Sequence, residues 1–285
     1  MTLPQDFLFN QSNLQDYIDC QRRFQLRYML HQAWPAVEVE PFLEFEHMMD
    51  QGSKFHKIVH QHLTGIPESQ IEQSLGGDLA MGVWWNNYKQ SLKNGVLELI
   101  FQKGINRYVE LSLSIPMGEF RLIAKYDLLV IMQDGRFLIF DWKTSKIHPK
   151  RKWLSDRLQT HVYPFVLTRA MGSIAGGGLT DPGQVEMIYW FTNQPEQPER
   201  FGYNDSAFDS DAKFIGNLMT AINQKTDPVF PLTSELKRCQ FCTYRSLCNR
   251  GVKPGELHEL EEWQVTGLSS ENVLFEYEQI GEIEY

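Results

Sequence analysis

Apolar positions recur at helical spacing over residues 12–31, where Leu14, Tyr17, Phe24, Leu26, Tyr28 and Met29 mark one face. Ser12 or Asn13 stands where a capping side chain is expected. A second helical pattern runs over 41–64 through Phe45, Met48, Met49, Phe55, Ile58, Val59 and Leu63. A third covers 77–102, with Trp84, Trp85 and Tyr88 on a face expected to enter the core. The period then shortens. Residues 108–115 alternate, and 120–132 form a long β-rich run. Gln133-Asp134-Gly135 supplies a hairpin turn and 136–144 the return strand, so three consecutive antiparallel strands are expected. A helix over 154–171, a Gly-rich loop to 183, a strand over 185–191 and a helix over 207–224 complete the pattern. This order predicts an α/β core with helical material before and after it.

Composition narrows the class. The chain has 285 residues, 42% hydrophobic and 22% charged, which is globular usage and excludes a disordered, collagenous or coiled-coil protein. No apolar run approaches the ~18 residues of a membrane span. The first residues lack the basic and apolar regions of a secretory signal, so a cytoplasmic protein is expected. The net charge of −9 is unevenly placed. Residues 254–285 carry nine Glu and no Asp, Lys or Arg, so residues 1–253 balance at 27 acids and 27 bases. The expected organisation is therefore a body over 1–253 and an acidic C-terminal tail over 254–285. Trp263, Phe275 and Tyr277 in the tail suit packing on the body or electrostatic competition with a polyanion.

The chemistry gathers around the hairpin. Asp127 lies in one strand, and Asp141 ends the next with Lys143 two residues on, hence on the same face. Charged groups on a strand that otherwise reads FLIF are costly unless something binds there. Two carboxylates brought together repel, and a hard divalent cation such as Mg²⁺ or Mn²⁺ removes that cost. A lysine beside them orients water or stabilises charge developing on phosphorus. This inventory serves metal-assisted phosphodiester hydrolysis. Separately, Cys239-x-x-Cys242 with Cys248 offers three local thiolates, which read as a zinc site or as part of an iron–sulfur site, and Cys20 is the one cysteine left to complete it. After the hairpin, Lys146, Lys150, Arg151, Lys152 and Arg157 surround Trp153, a set suited to phosphates and unpaired bases.

Five motifs in order resemble the PD-(D/E)XK nuclease superfamily, in its RecB-type branch. They are Ser12, Leu14, Tyr17, Cys20, Arg23 and Phe24; Gly52 with His56; Asp127; Asp141-Trp142-Lys143-Thr144; and Gln159 with Tyr163. Ala124 stands where that branch has Gly before its first Asp, and Gln21 where it has Pro. The resemblance implies a restriction-endonuclease-like core, a mixed β-sheet flanked by helices, with a helical N-terminal region and an iron–sulfur staple. It implies His56, Asp127, Asp141 and the Trp142 carbonyl as ligands of Mg²⁺ or Mn²⁺, Lys143 as the catalytic lysine, and Gln159 and Tyr163 as groups positioning substrate or Lys143. Glu110 is a weaker addition, and His60 and His62 read as ordinary helix residues. By the same resemblance Cys20, Cys239, Cys242 and Cys248 hold a [4Fe–4S] cluster. The implied activity is a metal-dependent DNA exonuclease acting on single-stranded or frayed ends, in repair, recombination or CRISPR adaptation, with a helicase or an adaptation protein as partner. The alternative is an inactive DNA-end-binding or assembly subunit that keeps the fold and cluster.

Overall fold

The first strand, β1 (Leu8–Asn10), is too short to show a period in the sequence, and it runs directly into helix α1 (Gln11–Asp19). Asn10 caps that helix by accepting from the Asn13 amide, and the Asn13 side chain accepts from the Asn10 amide in return. The helix therefore starts ahead of the Ser12 or Asn13 cap expected from the pattern. The computed structural model describes residues 3–33, 40–93, 97–145, 148–174, 180–240 and 242–251. Lys146 and the acidic tail lie outside these residues.

The expected helix over 12–31 is interrupted at Cys20, whose extended backbone ends α1. Helix α2 (Gln21–Phe24) and a π-helical turn (Gln25–Met29) follow. Helix α3 (Glu40–Leu63) matches the second pattern. The third divides into α5 (Leu79–Lys93) and a 3₁₀ turn (Glu98–Phe101), with α4 (Glu68–Ser74) before them. The three expected strands are β2 (Asn106–Met117), β3 (Phe120–Ile131) and β4 (Phe137–Lys143). The helix expected at 154–171 is α6 (Arg151–Ser155) and α7 (Leu158–Ile174). Strands β5 (Val185–Phe191) and β6 (Glu199–Gly202), then α8 (Asp205–Asn223) and α9 (Leu236–Gln240), follow.

These strands make one six-stranded mixed sheet. The meander β2–β3–β4 is antiparallel, whereas β4 and β5 pair in parallel across α6 and α7, as a βαβ unit requires. Helix α7 packs on β2, β3 and β5 together with α1 and α8, while α3 and α5 pack against each other on the opposite face. The fold is thus the mixed sheet flanked by helices that the sequence led us to expect. Among the described residues no helix is long and apolar enough to cross a membrane.

Two features of this sheet place the chemistry. First, the β3–β4 ladder runs from Ile131↔Phe137 to Leu128↔Phe140 and stops. The next pair in register would be Asp127 and Asp141. Beyond this point β3 has left β4, and its Arg121–Ile123 stretch pairs with β1. Second, β2 and β3 both exchange faces at one level. Leu111, Leu113 and Ile115 join the core on the α7 side, but Val109 joins the core on the α3 side. Likewise Tyr126 belongs to the α7-side core and Leu128 to the other. The register is unchanged across the switch, from Val109↔Leu128 to Leu111↔Tyr126, and Glu110 and Asp127 are the pair left out of the ladder.

An ionic latch ties α7 to α8. His161 Nδ1 lies 2.7 Å from Asp211 Oδ1, and Tyr203 Oη donates to Asp211 Oδ2 at 2.8 Å. Burial pulls the His161 pKa down, but the hydrogen bond and charge of Asp211, with Asp156 nearby, outweigh it and hold the imidazole above its ordinary value. The folded chain therefore keeps a proton that the unfolded chain sheds above about pH 6.5. The stabilisation is complete below that pH and disappears as pH rises through the raised value. Urea unfolding from pH 5.5 to 9 should show wild type more stable than His161→Gln at the acid end, with the gap closing toward the alkaline end. A gap that widens with pH would contradict the latch.

Candidate functional site

The opening between β3 and β4 is filled by side chains instead of ladder bonds. Asp127 Oδ2 accepts the Trp142 amide at 3.0 Å, the bond a paired strand would have given to a carbonyl. Its Oδ1 lies 3.3 Å from His56 Nδ1, and His56 Nε2 lies 2.9 Å from the Trp142 carbonyl. The imidazole thus stands between a carboxylate and a carbonyl, neither of which can donate. A neutral ring carries one N–H and satisfies one of these oxygens; an added proton or a cation is needed to satisfy both. Helix α3 carries His56 on the turn that also places Phe55 against Trp84 and Trp190.

Asp141 faces the other side, toward α7. It is 2% exposed, and a carboxylate so buried must be paired. Lys143 Nζ lies 2.9 Å from Asp141 Oδ2 and donates to Gln159 Oε1 at 3.1 Å, while Gln159 Nε2 donates to Asp141 Oδ1. Asp141, Lys143 and Gln159 form a closed triangle across β4 and the first turn of α7. Tyr163, one turn later, meets the Tyr126 ring edge-on at 5.1 Å, and its carbonyl accepts from Tyr126 Oη. It supports the residue that precedes Asp127.

Pattern reading missed Tyr189. In register it lies beside Asp141, its ring sits 5.5 Å from Lys143 Nζ, and its hydroxyl is 2.7 Å from Thr160 Oγ1. A cation over an aromatic face is held there electrostatically. No motif marks this tyrosine; it is one of three consecutive aromatics, Tyr189, Trp190 and Phe191, that end the strand.

The residues named from sequence fall into three groups. His56, Asp127, Asp141, Trp142, Lys143 and Gln159 come together at the fork. Among the described residues the basic run is divided: Lys150, Arg151 and Lys152 are exposed and Trp153 is half-buried, whereas Arg157 is buried. Arg157 is only 4% exposed and packs over the Trp153 ring at 5.2 Å, and its charge acts inward on Asp19. Arg151 lies over Phe201, paired with Glu199 and donating to the Arg200 carbonyl. His62 is taken up by Tyr88 Oη at 3.1 Å, among Trp85 and Phe101. Glu110 pairs with Lys125 at 2.7 Å.

The cysteines form the third group. Burial pushes up the thiols of Cys239, Cys242 and Cys248, Cys242 to about 11, and the nearness of Cys20 adds to the rise in all three. Their segments are clasped by other means as well. Arg23 pairs with Asp16 at 2.7 Å and Asp19 at 2.8 Å, and Arg238 pairs with Asp19 across 219 residues. Gln25 donates to the Pro228 carbonyl and accepts from the Phe230 amide.

Among the described residues no three His, Cys, Asp or Glu side chains already converge as a metal-holding group. At the fork the donors are paired with one another. Their chemistry nonetheless fits a hard divalent ion: two carboxylates, a carbonyl and an imidazole, with oxygens crowding both ring nitrogens of His56.

Gly52 lies one helical turn before His56, and a Cβ there would stand 3.1 Å from Thr144 Oγ1. Glycine costs a helix about 1 kcal/mol against alanine, so the close approach of α3 to the end of β4 opposes an ordinary gain. Gly52→Ala should recover none of that ~1 kcal/mol alone, and should recover it when Thr144→Ala opens the space. Denaturant unfolding of the two single variants and the double variant measures the coupling. Additive effects would contradict the contact.

No curated protein matches the sequence. Among solved structures, the chain is similar to the crystal structure of a candidate exonuclease from Eubacterium rectale, with a TM-score of 0.51 at 10% identity, covering 90% of this chain and 93% of that one. At such identity the likeness is one of fold. The crystal structure of SSO0001 is more distant, with a TM-score of 0.37 at 13% identity and 85% of each chain covered. The sequence model of the PD-(D/E)XK nuclease superfamily matches residues 8–249, a span that holds the forked strands, α3, α7 and all four cysteines. This chain belongs to the PD-(D/E)XK nuclease superfamily.

Proposed function

We propose that this protein is a metal-dependent DNA exonuclease of the RecB-type branch, acting on single-stranded or frayed ends. The observation that carries the reading is the fork: Asp127 and Asp141 occupy the first register position beyond the β3–β4 ladder, with Lys143 Nζ on Asp141. His56, Asp127, Asp141 and the Trp142 carbonyl would hold Mg²⁺ or Mn²⁺. The bound ion would supply charge neutralisation at the phosphate and a more acidic water.

The protein's own groups then have separate tasks. Asp141 and Gln159 fix the Lys143 ammonium from two sides, and the Tyr189 ring supports it from below. Held there, Lys143 stabilises negative charge building on the phosphoryl oxygens, or orients the attacking water. Lys150 and Lys152 neutralise backbone phosphates of the incoming strand without reading sequence. The buried Arg157 supports Trp153, and the exposed Arg151 is paired with Glu199 over the Phe201 ring.

End-labelled single-stranded, blunt and frayed DNA, incubated with Mn²⁺ or Mg²⁺, tests this. Wild type should shorten strands from an end. Lys143→Ala should slow cleavage by about 10²–10³-fold, the usual cost of one transition-state donor. Asp141→Ala should abolish cleavage in a folded protein. Equal cleavage by Lys143→Ala would overturn the assignment. Metal-independent DNA binding without cleavage by wild type would favour a non-catalytic end-binding subunit.

The same proposal gives Cys20, Cys239, Cys242 and Cys248 to a [4Fe–4S] cluster. What supports it is the influence of Cys20 on each of the other thiols and the clasp that joins their segments. Raised thiol pKa values mean that ligation must displace protons, so assembly should be favoured as pH rises. Protein purified without oxygen should be brown with about four irons per chain. Cys20→Ala should lose most of the iron. Bound zinc in a colourless protein would replace the cluster, and full iron content in Cys20→Ala would place the fourth ligand elsewhere.

A further inference from the structure

Glu110 has a backbone φ of +53°, inside an otherwise continuous strand. A side chain with a Cβ pays to adopt the left-handed region, and such a conformation persists only where its surroundings over-determine it. The residue sits opposite Asp127, and these two are the positions missing from the β2–β3 ladder. On one side of them Val109 and Leu128 face the α3-side core; on the other Leu111 and Tyr126 face the α7-side core. Both strands therefore turn over at this level without losing register. With β2 and β3 turned at Glu110, Asp127 leaves the ladder, and its carboxylate reaches the Trp142 amide and His56.

We infer that Glu110 is a positioning residue whose left-handed backbone, and not its carboxylate, aims Asp127 into the fork. The carboxylate is engaged on the outside by Lys125 at 2.7 Å, and Lys125 is itself largely exposed. The Glu110 side chain is 25% exposed, and a pair that opens to solvent through its lysine contributes little. A left-handed residue, by contrast, is what lets β2 reverse its faces within one position. This inference rests on the reading of Asp127 as a site residue, but its geometric part stands without any nuclease activity. The Trp142 amide reports directly on whether Asp127 is in place.

The test is a series at position 110 ordered by tolerance of the left-handed region. Glu110→Gly and Glu110→Asn accept it readily, Glu110→Ala less so, and Glu110→Val poorly. Hydrogen exchange of the Trp142 amide, followed by NMR in the metal-free protein, should stay within about 2-fold of wild type in the Gly and Asn variants. It should speed up about 10-fold in Ala and further in Val, as it does in an Asp127→Ala control. Affinity for Mn²⁺ alone should follow the same order. If Val does not fold, the Gly and Ala pair decides the question. Loss of Trp142 protection in Glu110→Gly equal to that in Glu110→Ala would assign the effect to the carboxylate and overturn the inference. Unchanged protection across the series would overturn it too. A wild-type protein that protects Trp142 but binds no Mn²⁺ would count against the proposed nuclease and leave the aiming role decided by the exchange data.

Discussion

The site depends on a ladder that stops. Two strands that pair through Leu128↔Phe140 separate at the next register position, and that position holds an aspartate on each strand. Had the ladder continued, Asp127 and Asp141 would be a cross-strand pair of like charges, which is destabilising. Separation turns this conflict into an opening with a carboxylate on each wall. One wall is closed from the α3 side by His56, which meets the Trp142 carbonyl, and the other from the α7 side by Gln159, which meets Asp141 and Lys143. The two helices are held on opposite faces by two separate cores, so the chemistry sits between these cores, where the central strands β3 and β4 part.

Much of this was legible in the sequence because it is local. Asp141 and Lys143 share a face by strand alternation, Gln159 begins the helix that returns over that face, and the hairpin turn brings Asp127 back beside them. The switch of faces was not legible. Residues 108–115 alternate without a fault, yet the structure sends Val109 to one core and Leu111 to the other. One residue in the left-handed region breaks the period while the letters keep it. The basic run misleads for a related reason. Arg157 follows four cations in sequence, but a helix start buries it against Trp153 and under the field of Asp19. Charge in a sequence gives no depth.

The two ends of the described domain are joined independently of any cluster. Asp19 lies between Arg23 and Arg238, Gln25 grips the segment around Pro228 and Phe230, and Tyr244 Oη donates to the Gln32 carbonyl. Buried ion pairs of this kind add little net stability, but breaking one partner away leaves an uncompensated charge inside. They fix which segments meet, and so bring the Cys20 turn to the segment carrying Cys239, Cys242 and Cys248. Gln15 extends the same network, donating to Asp19 at 2.9 Å while its oxygen faces the first amide of α7 at 3.5 Å. The cysteine end and the Gln159 turn thus share one buried polar seam.

The claim that the interrupted ladder is a cation site is open to one direct observation. Crystals of the protein soaked in Mn²⁺ and measured for anomalous scattering should show a peak within about 2.5 Å of oxygens from Asp127, Asp141 and the Trp142 carbonyl. Its appearance should be accompanied by loss of the His56–Trp142 hydrogen bond. A saturating soak that leaves the fork without a peak, with His56 still bonded to the Trp142 carbonyl, would contradict the account.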